Sequence, residues 1–149
     1  AAEYNIYADP EAARIVFDAG IPITMVGLDC THKALLYKNE IDAMVSTPGT
    51  GAKLAQDMMN HIHTFATRFG FNGAVMHDPT AVAAVIQPEL IKTEPYHVLV
   101  ETKGKYTTGK TVVDVMKVTK KEPNVNVALD IDREGFVHLV KRLMKAYES

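Results

Sequence analysis

Apolar positions recur at helical spacing in several stretches of the chain and run together or alternate in others. Asp9-Pro10-Glu11 predicts a helix start, with an N-cap carboxylate, Pro at the first helical position and an acid facing the positive dipole end. Ala12, Ile15, Val16 and Ala19 make its apolar face, and Gly20 closes it. Ile23 to Val26 then form a short, partly β-branched run that predicts a buried strand. Asn39 to Val45 predict a short helix, broken by Thr47-Pro48-Gly49-Thr50-Gly51. A longer helix begins near Lys53, carries Leu54, Met58, Ile62, Phe65 and Phe69 on one face, and ends at Gly70. Asp78-Pro79 opens another, with Ala81, Val82, Val85 and Ile86, stopped before Pro88.

The pattern then turns to strands. Tyr96 to Thr102 and Thr111 to Val118 are β-branched runs, and Lys103 to Lys110, with two glycines, predict the loop of a late antiparallel hairpin. Asn124 to Asp130 alternate, with Val125, Val127 and Leu129 on one face. Asp132 caps a last helix whose apolar face is Phe136, Leu139, Val140, Leu143, Met144 and Tyr147. Helices closely joined to strands predict α/β layering around a parallel or mixed sheet.

The length, 149 residues, suits one domain with a substantial core. The net charge of −2 argues against a nucleic-acid partner, and the lysines between Lys117 and Lys121 lack the interleaved aromatics that stack on bases. No apolar run is long enough to span a bilayer, and no secretory signal opens the chain. Cys30 is the single cysteine, which fits a reducing, cytoplasmic setting. The first residues, Ala1-Ala2-Glu3-Tyr4-Asn5, read like the middle of a longer sequence.

The most conspicuous motif is Gly104-Lys105-Tyr106-Thr107-Thr108-Gly109-Lys110-Thr111, which satisfies the phosphate-loop pattern. Such a loop works through the helix that follows it. Here β-branched residues follow, so a glycine-containing hairpin loop is the plainer reading, with a nucleotide-binding module as the competing one. His77-Asp78-Pro79 reads first as an N-cap, since one carboxylate is not a site for a hard cation. Glu3 and Asn5, one residue apart, would face the same side of an extended segment and could grip a polyol's hydroxyls. His61 and His63 face apart on a helix. His32, His97 and His138 have no evident carboxylate or cysteine partner, and Cys30 reads as a small buried hydrophobe.

Three segments together point to a family. Ala2-Glu3-Tyr4-Asn5 through Asp9-Pro10-Glu11-Ala12-Ala13, Ile23 to His32, and Gly73 to Ala83 with its His77-Asp78-Pro79 resemble consecutive segments of the inosine-uridine-type nucleoside hydrolases. The late hairpin, Val100 to Asp114, resembles bacterial members of broad ribonucleoside specificity. The resemblance implies a Rossmann-like α/β fold and an N-ribohydrolase that cleaves the ribose–base bond with water through an oxocarbenium-like transition state. In that family calcium holds the ribose diol and acidifies a bound water, and an aspartate takes the water's proton. Carried over, Asp78 would be a calcium ligand, Glu3 and Asn5 would hold ribose hydroxyls, and His77 would sit beside the base and protonate the leaving group. The family's acidic opening, Asp-Thr-Asp-Pro-Gly-x-Asp-Asp, supplies the general base and most metal carboxylates, and it has no counterpart here. Residues 1–149 are therefore expected to be the C-terminal half of a single hydrolase domain, inactive alone, partnered by the missing N-terminal half and assembling as a homo-oligomer. The remaining alternative is a non-catalytic binding or assembly module on a degenerate hydrolase half.

Overall fold

The structure, a computed structural model, describes residues 1–45 and 51–147. In chain order its elements are α1 (Tyr4–Ala8), α2 (Pro10–Asp18), β1 (Thr24–Met25), α3 (Leu28–Thr31), β2 (Leu35–Leu36), α4 (Lys38–Asp42), α5 (Gly51–Thr67), β3 (Ala74–Val75) and α6 (His77–Ile86). A 3-10 turn at Pro88–Leu90 leads to β4 (Ile91–Tyr96), β5 (Val98–Val100), β6 (Thr111–Val113), β7 (Val125–Ile131) and α7 (Arg133–Ala146). Of the cluster Thr47 to Gly51, read as a helix breaker, Thr47 to Thr50 lie outside the described residues, and Gly51 is the first residue of α5. No helix among the described residues is long and apolar enough to cross a membrane.

The helix starts follow the sequence signals. The Asp9 carboxylate accepts the Ala12 amide at 2.9 Å, and Asp132 accepts that of Gly135 at 3.0 Å, each satisfying an orphan donor of the first turn. At α4, Glu40 reaches back to accept the Tyr37 amide at 2.8 Å.

The chain forms two compact units, each of two segments. The first comprises Ala1–Leu28 and Thr93–Leu129. Phe17 of α2 packs with Val98, Val100, Val125 and Val127 to make its core. β1 runs parallel to β7, pairing Thr24 with Asn126 and Met25 with Val127, and it is the outermost strand of the order β1-β7-β4. β5 and β6 form the predicted antiparallel hairpin, Val98 opposite Val113 and Val100 opposite Thr111. Asn124 fastens α2 to this hairpin: its side-chain oxygen accepts the Val98 amide at 2.8 Å, and its NH2 donates to the Val98 and Phe17 carbonyls. At Gly109 (φ +81°) an added Cβ would lie 2.9 Å from Tyr7 Cα, so the loop touches α1 only because the side chain is missing.

The second unit comprises Asp29–Lys92 and Asp130–Ser149. β2 and β3 pair antiparallel, Leu35 with Val75 and Leu36 with Ala74. Gly73 enters β3 so close to β2 that a Cβ would meet the Leu36 carbonyl oxygen at 2.9 Å. Buried Leu36, Ile41 and Cys30 share this unit with the inner face of α7, namely Phe136, Leu139, Val140 and Met144. Gln56 of α5 is also buried and donates to the Ile41 carbonyl at 2.7 Å, so its amide is satisfied.

Several sequence expectations need correction. The face predicted to bury α2 is exposed, Ile15 at 71%, while Pro10 and Phe17 are the buried residues. α5 ends at Thr67, short of the predicted Gly70; on it Leu54, Met58 and Phe65 are exposed, as is Phe69 beyond it, and Ala52, Gln56, Met59 and Ala66 are buried. These sets lie on different sides of a helix that turns about 100° per residue. On α6, Val82, Val85 and Ile86 are exposed, whereas Thr80 and Ala83 are buried. α6 turns small side chains inward and α5 a mixture of alanines with Gln56 and Met59, and periodicity cannot choose between two apolar sides. The run Ile23 to Val26 yields a two-residue strand with Thr24 exposed, not a buried strand, because it lies at the sheet's edge. Residues 4–8 are helical rather than extended.

Candidate functional site

The second unit holds an open cleft of about 340 Å³, walled by Ile62, Phe65 and Ala66 of α5, by Phe69 and Phe71 beyond it, and by Val75 through Pro79. The β3–α6 junction positions its polar groups. The Met76 amide donates to the Ala34 carbonyl at 3.2 Å, continuing the β2–β3 pairing, and fully buried Thr80 donates its hydroxyl to the Met76 carbonyl. His77 and Asp78 therefore occupy the first turn of α6, both exposed, with the Asp78 carboxylate at the positive end of the helix.

His77 Nδ1 lies 2.8 Å from the hydroxyl of Thr31, a residue only 3% exposed. The His32 ring meets His77 edge-on at 5.6 Å and Phe71 at 4.9 Å. Phe65 and Phe69, which also line the cleft, form a tilted ring pair with centroids 5.0 Å apart. Aromatic faces with one imidazole and one carboxylate suit a flat heterocycle and a proton transfer to or from it.

Glu3 and Asn5 belong to the first unit. Glu3 is half-buried and precedes α1 as its N-cap, with no side-chain cap bond. Asn5 lies within α1 and is exposed, so the period-two argument for a shared face does not apply to them. The structure thus places Glu3 with Asn5 in one unit and His77 with Asp78 in the other.

The phosphate-loop match is filled from within. Glu101 accepts the Lys103 and Gly104 amides at 2.6 and 3.0 Å, and those bonds hold its carboxyl below the ordinary range. The amides of Thr108, Gly109 and Lys110 donate to carbonyls of the same hairpin, and β6 follows where a phosphate loop has a helix. Cys30 is fully buried, and desolvation pushes its thiol pKa up, as expected of an inert core cysteine. Sequence reasoning did not assign Thr31 and His32, which neighbour His77, or Phe71, which lines the cleft. The signal available was the Thr31-His32 pair ending one of the three family-like segments.

The model of the inosine-uridine preferring nucleoside hydrolases matches residues 1–138. The chain belongs to this family. A pyrimidine-specific ribonucleoside hydrolase RihA from Citrobacter koseri is 43% identical over the whole chain, which covers 48% of that protein. RihA from Salmonella arizonae is also 43% identical, over 99% of the chain and 48% of its own length. Among solved structures, a purine-preferring ribonucleoside hydrolase from Gardnerella vaginalis superposes with a TM-score of 0.81 at 32% identity, over 97% of this chain and 46% of that one. A plant nucleoside hydrolase gives 0.86 at 28% identity, over 98% and 48%. The expected α/β, Rossmann-like hydrolase fold holds, and the chain spans about half the length of the curated relatives it matches.

Proposed function

We propose that this nucleoside hydrolase chain supplies the base-binding side of a ribonucleoside N-ribohydrolase, and that the assembled enzyme releases ribose and a free base with water. The observation that carries the reading is the cleft in which His77, held at Nδ1 by Thr31, stands among Phe65, Phe69 and Phe71. A nucleobase is flat and apolar on its faces, and its departure needs a proton, which an imidazole at the cleft wall delivers. Pyrimidine ribonucleosides are the first substrates to try, since relatives named pyrimidine-specific share 43% identity with the chain, against 32% for the purine-preferring structure. Glu3 and Asn5 are assigned to the ribose hydroxyls on the family pattern.

Asp78 is assigned as one ligand of a divalent cation, calcium in this reading. The described residues do not make a complete shell. A hard cation takes six or more oxygens, and no group of three or more His, Cys, Asp or Glu side chains is arranged to hold a metal among the described residues. The general base and the other carboxylates are assigned to a further segment of the assembled enzyme.

The test is to incubate the 149-residue chain with uridine and with inosine, with added calcium, and to follow release of reducing sugar. No enzymatic turnover and no tight calcium binding by calorimetry are expected. Both should appear when a polypeptide carrying the family's acidic opening is supplied. Turnover near one per second by the chain alone, a typical enzyme rate of roughly 1–10³ s⁻¹, would overturn the division of labour. Ribose affinity without turnover in the assembled protein would favour a non-catalytic module.

A further inference from the structure

We infer that Thr31 is a positioning residue for His77: its hydroxyl donates to Nδ1 and so keeps the proton of the neutral imidazole on Nε2. The inference rests on the hydrolase reading above, because delivery to a departing base is the task that needs a proton there. The geometry comes from the molecule. Thr31 Oγ1 and His77 Nδ1 are 2.8 Å apart, and the threonine is almost wholly buried. A buried hydroxyl that loses its partner pays the full cost of desolvation, so this contact is not casual.

The frame around the pair is stiff. The Thr31 carbonyl accepts the Ala34 amide at 3.0 Å, and the Ala34 carbonyl accepts the Met76 amide at 3.2 Å. Met76 immediately precedes His77, so two backbone hydrogen bonds through Ala34 tie the hydroxyl's residue to the imidazole's. His32, braced on Phe71, meets the His77 ring edge-on and further limits its rotation. The two nitrogens of a neutral imidazole have opposite roles, one donor and one acceptor. A hydroxyl donating to Nδ1 therefore fixes Nε2 as the donor.

Thr31→Val keeps the branched shape and removes the hydroxyl, while Thr31→Ser keeps the hydroxyl. Long-range proton–nitrogen correlation spectra of the full chain, taken where the imidazole is neutral, report the tautomer directly. In the wild type and Thr31→Ser, the expected state is an unprotonated, hydrogen-bonded Nδ1 and a protonated Nε2. Thr31→Val should show a mixture. A wild-type spectrum with the proton on Nδ1 overturns the inference without any variant. So does a folded Thr31→Val with unchanged populations.

In the assembled enzyme, Thr31→Val should lower kcat about 10- to 100-fold, the scale of a misaligned reacting group. KM should stay nearly constant, and Thr31→Ser should recover most of the rate. Full kcat in Thr31→Val would refute the positioning role. Wild-type enzyme with no nucleoside hydrolysis would instead remove the hydrolase reading and this role with it, and the spectra would still decide the contact.

Discussion

Gly104–Thr111 and Met76–Pro79 are built in opposite ways. The first has the more conspicuous motif, yet the amides of Lys103 and Gly104 at its start are taken by Glu101, and those at its end by its own carbonyls. The second has a modest motif, but a buried threonine and a strand pairing hold it so that His77 and Asp78 line a cleft. Side-chain chemistry becomes a site where the backbone's own demands are met elsewhere. In the hairpin loop the polar groups meet those demands themselves.

The strongest way to break this contrast is at His77. His77→Ala in the assembled enzyme should lower kcat about 10²–10⁴-fold, the usual worth of a positioned acid or base. Steady-state release of base from uridine and inosine measures it, and an unchanged rate would make the cleft incidental. Asp78→Ala should weaken calcium binding and activity together, by roughly 10- to 100-fold or more, because a hard anionic ligand is lost. Calorimetry beside the same rate assay would separate the two effects.

The hairpin loop offers smaller effects. Backbone amides, those of Lys103 and Gly104 foremost, depress the Glu101 pKa, so its contribution to loop order is complete above the carboxyl's unfolded value and is lost as pH falls through the lower folded one. Hydrogen exchange at the Lys103 and Gly104 amides, corrected for intrinsic pH dependence, should lose protection on the acid side of the ordinary carboxylate range. Glu101→Gln should shrink that dependence. The smallest effect belongs to Lys110. Lys110→Ala should leave nucleoside hydrolysis unchanged, and micromolar ATP binding abolished by that substitution would instead favour a phosphate loop.

Local signals in the sequence predicted the local features. Asp9 and Asp132 cap helices where the N-cap rule places them, and the hairpin forms around its glycine-containing loop. On α7 the predicted face is largely buried, Phe136 being 1% exposed, because its apolar residues lie on one side. On α5 the same reasoning chose the wrong side. Leu54, Met58 and Phe65 are all large hydrophobes, but the inner face is built from Ala52, Met59, Ala66 and a satisfied Gln56. Which side packs inward depends on the space beside β3, and that is set by residues distant in sequence. The cleft was half legible for the same reason. His77 and Asp78 announce themselves as a tripeptide with Pro79, whereas Thr31 comes within reach of His77 only through the β2–β3 pairing.

The bare side of α5 has a colloidal consequence. Phe65 and Phe69, with Val85 and Ile86 on α6, offer rings and branched chains to water instead of charge. Faces of that kind adhere to one another and to the apolar clefts of chaperones. Handled alone, the chain should therefore be limited by its lifetime in solution before its folding equilibrium, with losses that grow with concentration and ease when a covering surface is present.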